Sequence, residues 1–341
     1  MSRRGYLLIA LALLVGSVAA VAFAARTSPS SVGGGGTATG SGRTAPELQA
    51  AGWINTPPLT PAALKGKVVL YDFWTYSCVN CVRTIPYIRS WYDRYHDDGL
   101  VIVGVHSPEF DFEKNHANVR RAVKKLGVDY PVALDDDMII WNAFANQYWP
   151  ADYLYDRHGH EASVHFGEGD YAKTEDEIRK LLGVTKGSPR ATVGKQMGGP
   201  DGSADITPET YNGAERGQQG FASPEPLDQG VENFTAPAEL ARDQHALVGR
   251  WDVEGQYVQA AQAGAQVRLH YVAGAANLVM ATADGRPVDV RVQVDDRPPT
   301  TVRVTAADLY TLVSDEHEGD HLLTLTASRP GLRAFAFTFG G

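Results

Sequence analysis

The two cysteines of this chain, Cys78 and Cys81, stand three positions apart, and its 341 residues contain no others. A scaffold held together by disulfides would need several more cysteines. The pair follows an apolar run rich in β-forming residues, Val68–Trp74, and opens a segment with helical spacing. Two thiols at the start of one helix can reach each other, so the pattern favours a working pair over a structural bridge.

A helix start suits a thiolate, because unpaired backbone N–H groups and the helix dipole favour an anion there. Cys78 is therefore predicted to be the nucleophile of a disulfide exchange, and Cys81 the thiol that resolves the mixed disulfide. Asp72 lies six residues before Cys78 on the strand predicted to be buried. Burial there would raise its pKa and let it accept the Cys81 proton. The alternative is that Asp72 is a hydrogen-bonded polar residue of the core.

Two prolines stand near this pair in the predicted elements. Pro86, five residues after Cys81, is predicted to kink the helix that begins at the cysteines. Pro150 follows Trp149 just before a short strand. A cis proline there would place the Trp149 backbone against the sulfurs, whereas a trans turn proline is the commoner form.

Neither a metal nor an organic cofactor is predicted. Zinc would need about two further ligands beside the cysteine pair. Four histidines lack a convincing ligand spacing: His106, His158, His160 and His165. The acidic run 135–137 is interpreted as capping for a helix starting near Met138 rather than as a cation site. The net charge of −9, with no basic stripe, argues against a nucleic-acid partner.

The N-terminus predicts export. Arg3 and Arg4 precede an apolar run over residues 6–25, which as a helix would be about 30 Å long, enough to cross a bilayer. A small-x-small pattern at residues 22–24 also fits cleavage, so a signal peptide and a retained anchor both remain open. The chain is therefore expected to be extracytoplasmic, either secreted or tethered to the cytoplasmic membrane.

The rest of the chain divides by its patterns. Strand and helix signals alternate in the first half, as in an α/β layer, and include a helix predicted from about Glu113 to Leu126. Period-two strands fill the last part, as in a β-sandwich. The predicted segments are a signal or anchor (1–25), a flexible linker (26–46), an α/β domain (47–185), a connector (186–230) and an all-β domain (231–341).

The segment from Phe73 to Cys81, with Asp72, Pro86 and Trp149-Pro150, resembles the thioredoxin superfamily. Within it the chain is similar to the TlpA-like branch, and most of all to the extracytoplasmic C-terminal part of DipZ proteins. The segments 104–110 and 209–211 share that similarity. The resemblance implies a thioredoxin-like α/β domain followed by a jelly-roll or β-sandwich domain like a galactose-binding or carbohydrate-binding module. It also implies a substrate groove at Trp149, Pro150, Trp74 and Ser77.

The resemblance also bears on the direction of electron transfer and on the partner proteins. Ser77 stands where many members carry a tryptophan, so a common lid over the sulfur is missing. Neither residue between the cysteines can stabilise the Cys78 thiolate by charge, which favours a reductase over a strong oxidant. The expected substrates are disulfides of exported proteins. Because the chain has at most one membrane span, a separate membrane electron-donor protein of the CcdA/DsbD type is expected to reduce it.

Two other functions remain open. Thr75 and Cys78 reproduce the T-x-x-C part of a peroxiredoxin site, which suggests a thiol peroxidase, although Tyr71 occupies the position of its proline. The β domain could instead bind cell-wall polysaccharide and carry the redox domain as an accessory. Four aromatic residues are candidates for stacking on sugars or for the core: Trp251, Tyr257, Tyr271 and Tyr310.

Overall fold

The computed structural model describes residues 36–184, 187–193 and 206–340. These residues fall into one compact unit that contains two β-sheets. The predicted signal or anchor over residues 6–25 lies outside the described residues, as do parts of the predicted linker and connector. Among the residues that are described, no helix is both long and apolar enough to cross a membrane.

The first sheet has seven strands flanked by helices, as the alternating pattern predicts. In space its strands follow the order β1-β7-β6-β3-β4-β5-β2, and only the pairs β3–β4 and β4–β5 are parallel. The strands are β1 (Gly36–Thr39), β2 (Gly52–Ile54), β3 (Val68–Trp74), β4 (Leu100–His106), β5 (Val132–Leu134), β6 (Ala151–Tyr155) and β7 (Glu161–Phe166). The helices are α1 (Pro61–Leu64), α2 (Val79–Tyr95), α3 (His116–Leu126), α4 (Ile139–Ala143) and α5 (Tyr171–Leu182).

Strand β3 is central and buried along its whole length. The neighbouring strands β4 and β6 form hydrogen bonds with the backbone of β3. The apolar run predicted from the sequence is therefore paired with a strand on each side. Alternate residues Val68, Leu70 and Trp74 join a cluster with the buried face of α2. Because side chains alternate along a strand, Asp72 faces the same side as these residues and lies under α2.

Two predicted elements differ from the structure. The predicted flexible linker contributes β1, which pairs with the outer edge of β7. The edge of β7 offers unpaired backbone groups, and a glycine-rich segment can pair with them without placing bulky side chains. The helix predicted from Glu113 to Leu126 is broken, because a short 3₁₀ helix over Asp111–Lys114 ends before Asn115. The Asn115 side chain then caps α3 by accepting from two backbone N–H groups.

The second sheet has nine strands, and all of its pairs are antiparallel. Its first strand lies in the predicted connector and pairs with the last strand, so this sheet takes in chain before residue 231. The strands are β8 (Thr210–Tyr211), β9 (Gly230–Phe234), β10 (His245–Val253), β11 (Val258–Ala260), β12 (Gln266–Thr282), β13 (Val288–Val294), β14 (Thr300–Val304), β15 (Asp308–Ala327) and β16 (Leu332–Gly340).

A small aromatic cluster joins the two sheets. Phe110 and Phe112, from the loop after β4, pack edge-on against Phe335 of β16, with ring centroids 5.1 and 4.8 Å apart. Tyr257 completes the cluster, with its ring 5.0 Å from that of Phe335. Beside it the Arg216 guanidinium lies over the ring of Tyr211 and forms an ion pair with Glu109. The loop that follows β4 is therefore anchored to the second sheet.

Truncating the aromatic ring at this junction should destabilise the protein. Phe335 is 3% exposed, so Phe335→Ala removes packing on both sheets and should lower the free energy of unfolding by about 3 kcal/mol. The measurement is urea unfolding of the full chain followed by tryptophan fluorescence. The control is Leu322→Ala, at a site that is 48% exposed, which should change stability by less than about 0.5 kcal/mol. Equal effects of the two substitutions would contradict the packing described.

Candidate active site

The cysteine pair lies at the junction between β3 and α2. Cys78 is the N-cap of α2, and its sulfur accepts a hydrogen bond of 3.3 Å from the backbone N–H of Cys81. Cys78 is partly exposed, whereas Cys81 is 1% exposed. A sulfur at the N-cap lies beside a backbone donor and at the positive end of the helix dipole. The two thiols therefore differ in access to solvent and in electrostatic surroundings.

The surroundings of Cys81 disfavour its thiolate. Burial raises the pKa of the Cys81 thiol well above its ordinary value, and the neighbouring Cys78 raises it further. The negative charge of Asp72 acts in the same direction, which places that carboxylate within electrostatic reach of the sulfur. Cys81 can therefore become a nucleophile only if a nearby group takes its proton.

Asp72 is placed to be that group. It lies on β3 under α2 and is 1% exposed. Burial raises the pKa of Asp72 to about 7, an effect partly opposed by the nearby Tyr130 hydroxyl. A carboxyl group with this pKa changes protonation near neutral pH, which suits a proton acceptor. The structure thus brings Asp72, Cys78 and Cys81 together.

The peptide bond between Trp149 and Pro150 is cis. The sequence left both isomers open. Trp149 is partly exposed; its indole N–H donates to the Ser107 carbonyl at 3.1 Å, and its ring lies 4.1 Å from that of Trp141. The next residue after Pro150, Ala151, stands opposite Phe73 in register, near the end of β3 that leads into the dithiol. The predicted groove residues Trp149 and Pro150 therefore lie at the dithiol end of the domain.

Trp74 and Ser77 do not line a groove, which corrects the prediction for these two residues. Trp74 is fully buried because it ends a central strand and faces the core under α2. Ser77 is 1% exposed because its hydroxyl donates to the carboxylate of Glu113 at 2.6 Å. Both side chains shape the support beneath the dithiol, and neither presents a surface to an incoming chain.

Glu113 holds the loop that precedes Cys78, and the sequence analysis missed it. Its carboxylate accepts from the hydroxyls of Thr75 at 2.5 Å and Ser77 at 2.6 Å, and from the backbone N–H groups of Glu109 at 2.7 Å and Phe110 at 2.9 Å. The side chain is completely buried. Glu113 is far from the cysteines in sequence and is predicted to begin a charged helix. No local pattern therefore connects it with the dithiol.

Helix α2 carries two further features near the dithiol. Pro86 lies inside the helix, as predicted, and removes one backbone N–H from its ladder. Arg83 is buried and forms a forked ion pair with Glu168, while it also donates to Asn80. The charge of Arg83 is thus balanced by Glu168 rather than directed at the Cys78 sulfur.

The residues that were possible metal ligands in the sequence have structural roles. His106 is buried, which lowers its pKa to about 3, and its ring stacks on Tyr76. No group of three or more potential metal ligands occurs among residues 36–184, 187–193 and 206–340. Asp135 accepts from the backbone N–H groups of Ile140 and Trp141, as predicted for a capping role at α4.

The four aromatic residues that were candidates for stacking on sugars pack within the fold instead. Trp251 and Tyr271 are fully buried in the core of the second sheet. Tyr257 packs at the junction between the sheets, and Tyr310 packs on the core while its hydroxyl bonds to the backbone at Ala306. Their positions agree with the core alternative rather than with a stacking platform.

A family model described as Redoxin matches residues 41–152, and one described as thioredoxin like C-terminal domain matches residues 207–340. The chain is 38% identical to Protein DipZ of Mycobacterium tuberculosis and of Mycobacterium bovis over 313 residues, which cover 87% of this chain. It spans only 43% of the length of those relatives.

Two further similarities cover smaller shares of the chain. The chain is 26% identical over 134 residues to the thiol-disulfide oxidoreductase YkuV of Bacillus subtilis, covering 39% of this chain and 90% of YkuV. A thiol-disulfide isomerase from Corynebacterium glutamicum is a solved structure with 24% identity and a TM-score of 0.37, covering 41% of this chain and 98% of that chain. The chain thus carries a region that matches the Redoxin model, followed by one that matches the thioredoxin like C-terminal domain model, and its similarity to DipZ is confirmed.

Proposed function

We propose that this protein is an extracytoplasmic thiol–disulfide oxidoreductase that reduces disulfides of exported proteins through Cys78 and Cys81. The observation that carries the proposal is the asymmetry of the two thiols. Cys78 is partly exposed at a helix N-cap, and Cys81 is buried three residues later above a buried carboxyl group. An exposed nucleophile backed by a buried resolving thiol is the arrangement that dithiol exchange requires.

The exchange proceeds in two displacements. The Cys78 thiolate attacks a substrate disulfide; one substrate sulfur bonds to Cys78 and the other leaves with the electron pair. Cys81 then transfers its proton to Asp72 and attacks the Cys78 sulfur. The Cys78–Cys81 disulfide forms, the second substrate sulfur leaves, and both substrate thiolates take protons from water. Two electrons pass from the dithiol to the substrate.

The direction toward reduction rests on the charges near Cys78. A strong oxidant owes its potential to a stabilised reduced form. Here the residues between the cysteines are Val79 and Asn80, and the nearby Arg83 is paired with Glu168. We further propose that a separate membrane electron-donor protein of the CcdA/DsbD type supplies the electrons.

The rival functions find less support. A peroxidase would need Thr75 free to bind peroxide, whereas its hydroxyl is buried and donates to Glu113. Polysaccharide binding by the second domain would need a surface other than the four aromatic residues considered, which are packed within the fold. The contacts of Phe335 and Arg216 instead suggest that the second domain supports the loop near the dithiol.

Replacing the resolving thiol should trap the substrate. In Cys81→Ser, Cys78 can still attack but no second thiol releases the product, so mixed disulfides should accumulate with exported proteins and with a membrane electron carrier. The measurement is affinity capture from the native host, followed by reduction and mass spectrometry. Cys78→Ser is the matched control and should capture nothing. Failure of Cys81→Ser to trap any protein, with a wild type inert toward model disulfides, would refute the proposed activity.

Removing the proton acceptor should slow only the second displacement. Reduced protein treated with one equivalent of Ellman's reagent releases one thionitrobenzoate when Cys78 attacks and a second when Cys81 resolves. Asp72→Asn should leave the first release unchanged and slow the second about 100-fold at pH 8. In the wild type, the second release should slow as the pH falls below about 7, because Asp72 becomes protonated. An equally fast second release from Asp72→Asn would exclude this role.

The same carboxyl group should make stability depend on pH. The pKa of Asp72 is raised on folding from an ordinary 3.8 to about 7, so the folded state binds the extra proton between these values. Stability from this group is present below about pH 4 and is lost as the pH rises toward about 7. Asp72→Asn should therefore be more stable than wild type at pH 8, and the difference should vanish near pH 4. Urea unfolding at both pH values measures this, with the exposed Asp137→Asn as control.

A further inference from the structure

A second acidic residue lies beside Asp72. Asp152 of β6 stands directly opposite Asp72 of β3 in the antiparallel register. Residues opposite each other in such a pair point to the same face of the sheet, with Cβ atoms about 4.5–5.5 Å apart. Asp152 therefore shares the face under α2 with Asp72. It is the only acidic residue of β6 and lies two positions after the cis proline.

The two carboxyl groups are poorly solvated. Asp72 is 1% exposed and Asp152 is 5% exposed. The Oδ1 atoms of both residues lack a hydrogen-bond partner among the described residues. Buried carboxylates are normally paired with donors or cations, and two carboxylates this close cannot both be ionised cheaply. One proton shared between the two facing carboxyl groups would join an oxygen atom of Asp72 to an oxygen atom of Asp152 by a hydrogen bond.

The strand on the other side of Asp72 supplies no compensating cation. The residue opposite Asp72 on β4 is Gly104. A Cβ atom at Gly104 would lie 2.9 Å from the indole nitrogen of Trp74 and 2.9 Å from the Tyr130 ring, so no side chain fits there. The nearby Tyr130 hydroxyl opposes the rise in the pKa of Asp72 only in part. The carboxyl pair is thus left to balance its own charge.

The other titratable groups that face this pair come from three elements. Cys81 and Arg89 belong to α2, and the charge of Arg89 acts on Tyr130. His165 of β7 stands opposite Asp152 in register, and burial lowers its pKa, so it favours the neutral form. On α5, which packs against β3, Glu175 binds the Tyr95 hydroxyl instead. Burial and the charge of Asp72 raise the pKa of Asp152 well above its ordinary value.

We propose that Asp72 and Asp152 form a carboxyl pair that holds one proton between them in the reduced protein, with Asp152 as the positioning residue that keeps Asp72 ready to accept the Cys81 proton. This inference rests on the proposed disulfide exchange. During resolution the shared proton stays on Asp152, and the S–H proton of Cys81 moves to Asp72, so both carboxyl groups become neutral. The Cys81 sulfur bonds to Cys78, and the substrate sulfur leaves with the electron pair. Reduction of the Cys78–Cys81 disulfide reverses the proton transfer.

The test is the pH dependence of the second thionitrobenzoate release in Asp152→Ala. In the proposed pair Asp152 is neutral and donates the shared proton to the Asp72 carboxylate. Removing this donor should make Asp72 ionise only at higher pH, so the midpoint of the profile should move up by about one pH unit or more. The first release should not change. Asp135→Ala is the matched control: Asp135 is also buried but accepts from Ile140, Trp141 and Ser107. It should lose stability without moving the midpoint, whereas an unmoved or lowered midpoint in Asp152→Ala would overturn the proposal.

A second measurement does not depend on turnover or on the variant. Carbon-13 NMR of the aspartate carboxyl groups in the wild-type full chain should show Asp72 and Asp152 titrating together in two common steps. Independent single steps would overturn the pair. Coupled titration in a protein whose Cys81→Ser variant traps nothing would retain the pair but reject the exchange activity. Trapping by Cys81→Ser together with independent titration of the two carboxyl groups would retain the exchange activity but reject the pair. Failure of the pair and failure of the activity are therefore distinguishable.

Discussion

The arrangement of the active site depends on the burial of an ionisable carboxyl group beneath a thiol. Strand β3 is covered on both faces and paired on both edges, so Asp72 has no route to water. That burial raises the pKa of Asp72 to about 7, and burial also disfavours the thiolate of Cys81 above it. The proton that Cys81 must lose therefore has a local destination. The hydrophobic core is thus the source of the chemistry as well as of stability.

The loop after β4 connects this chemistry to the second domain. At one end, Glu113 holds the residues that precede Cys78 through hydrogen bonds to Thr75 and Ser77. Close by, Phe110 packs against Phe335 of the C-terminal strand. A buried carboxylate that accepts four hydrogen bonds resists displacement, because each donor would be left unpaired. The same loop therefore supports the dithiol and joins the two sheets.

Sequence reasoning found the elements whose signals are local. The apolar run of β3, the helical spacing after the cysteines and the period-two strands of the second sheet all appear in the structure. It did not find β1, because the pairing of a glycine-rich segment depends on an open edge of β7. The resemblance placed Trp74 and Ser77 in a groove, whereas Trp74 faces the core at the end of β3 and Ser77 is held by the distant Glu113. Sequence reasoning also overlooked Asp152. This residue is the one acidic residue of the buried strand β6, just as Asp72 is the one acidic residue of β3.

The sequence by itself determined that two thiols share a helix start, that Asp72 lies in a buried strand, and that an all-β domain follows. Spacing along one element decides such matters, since side-chain direction repeats with the backbone period. Only the tertiary structure decided that Asp152 faces Asp72, that Glu113 holds the loop before Cys78, and that the bond before Pro150 is cis. These outcomes depend on strand register and on packing between segments far apart in the chain, which no local period encodes.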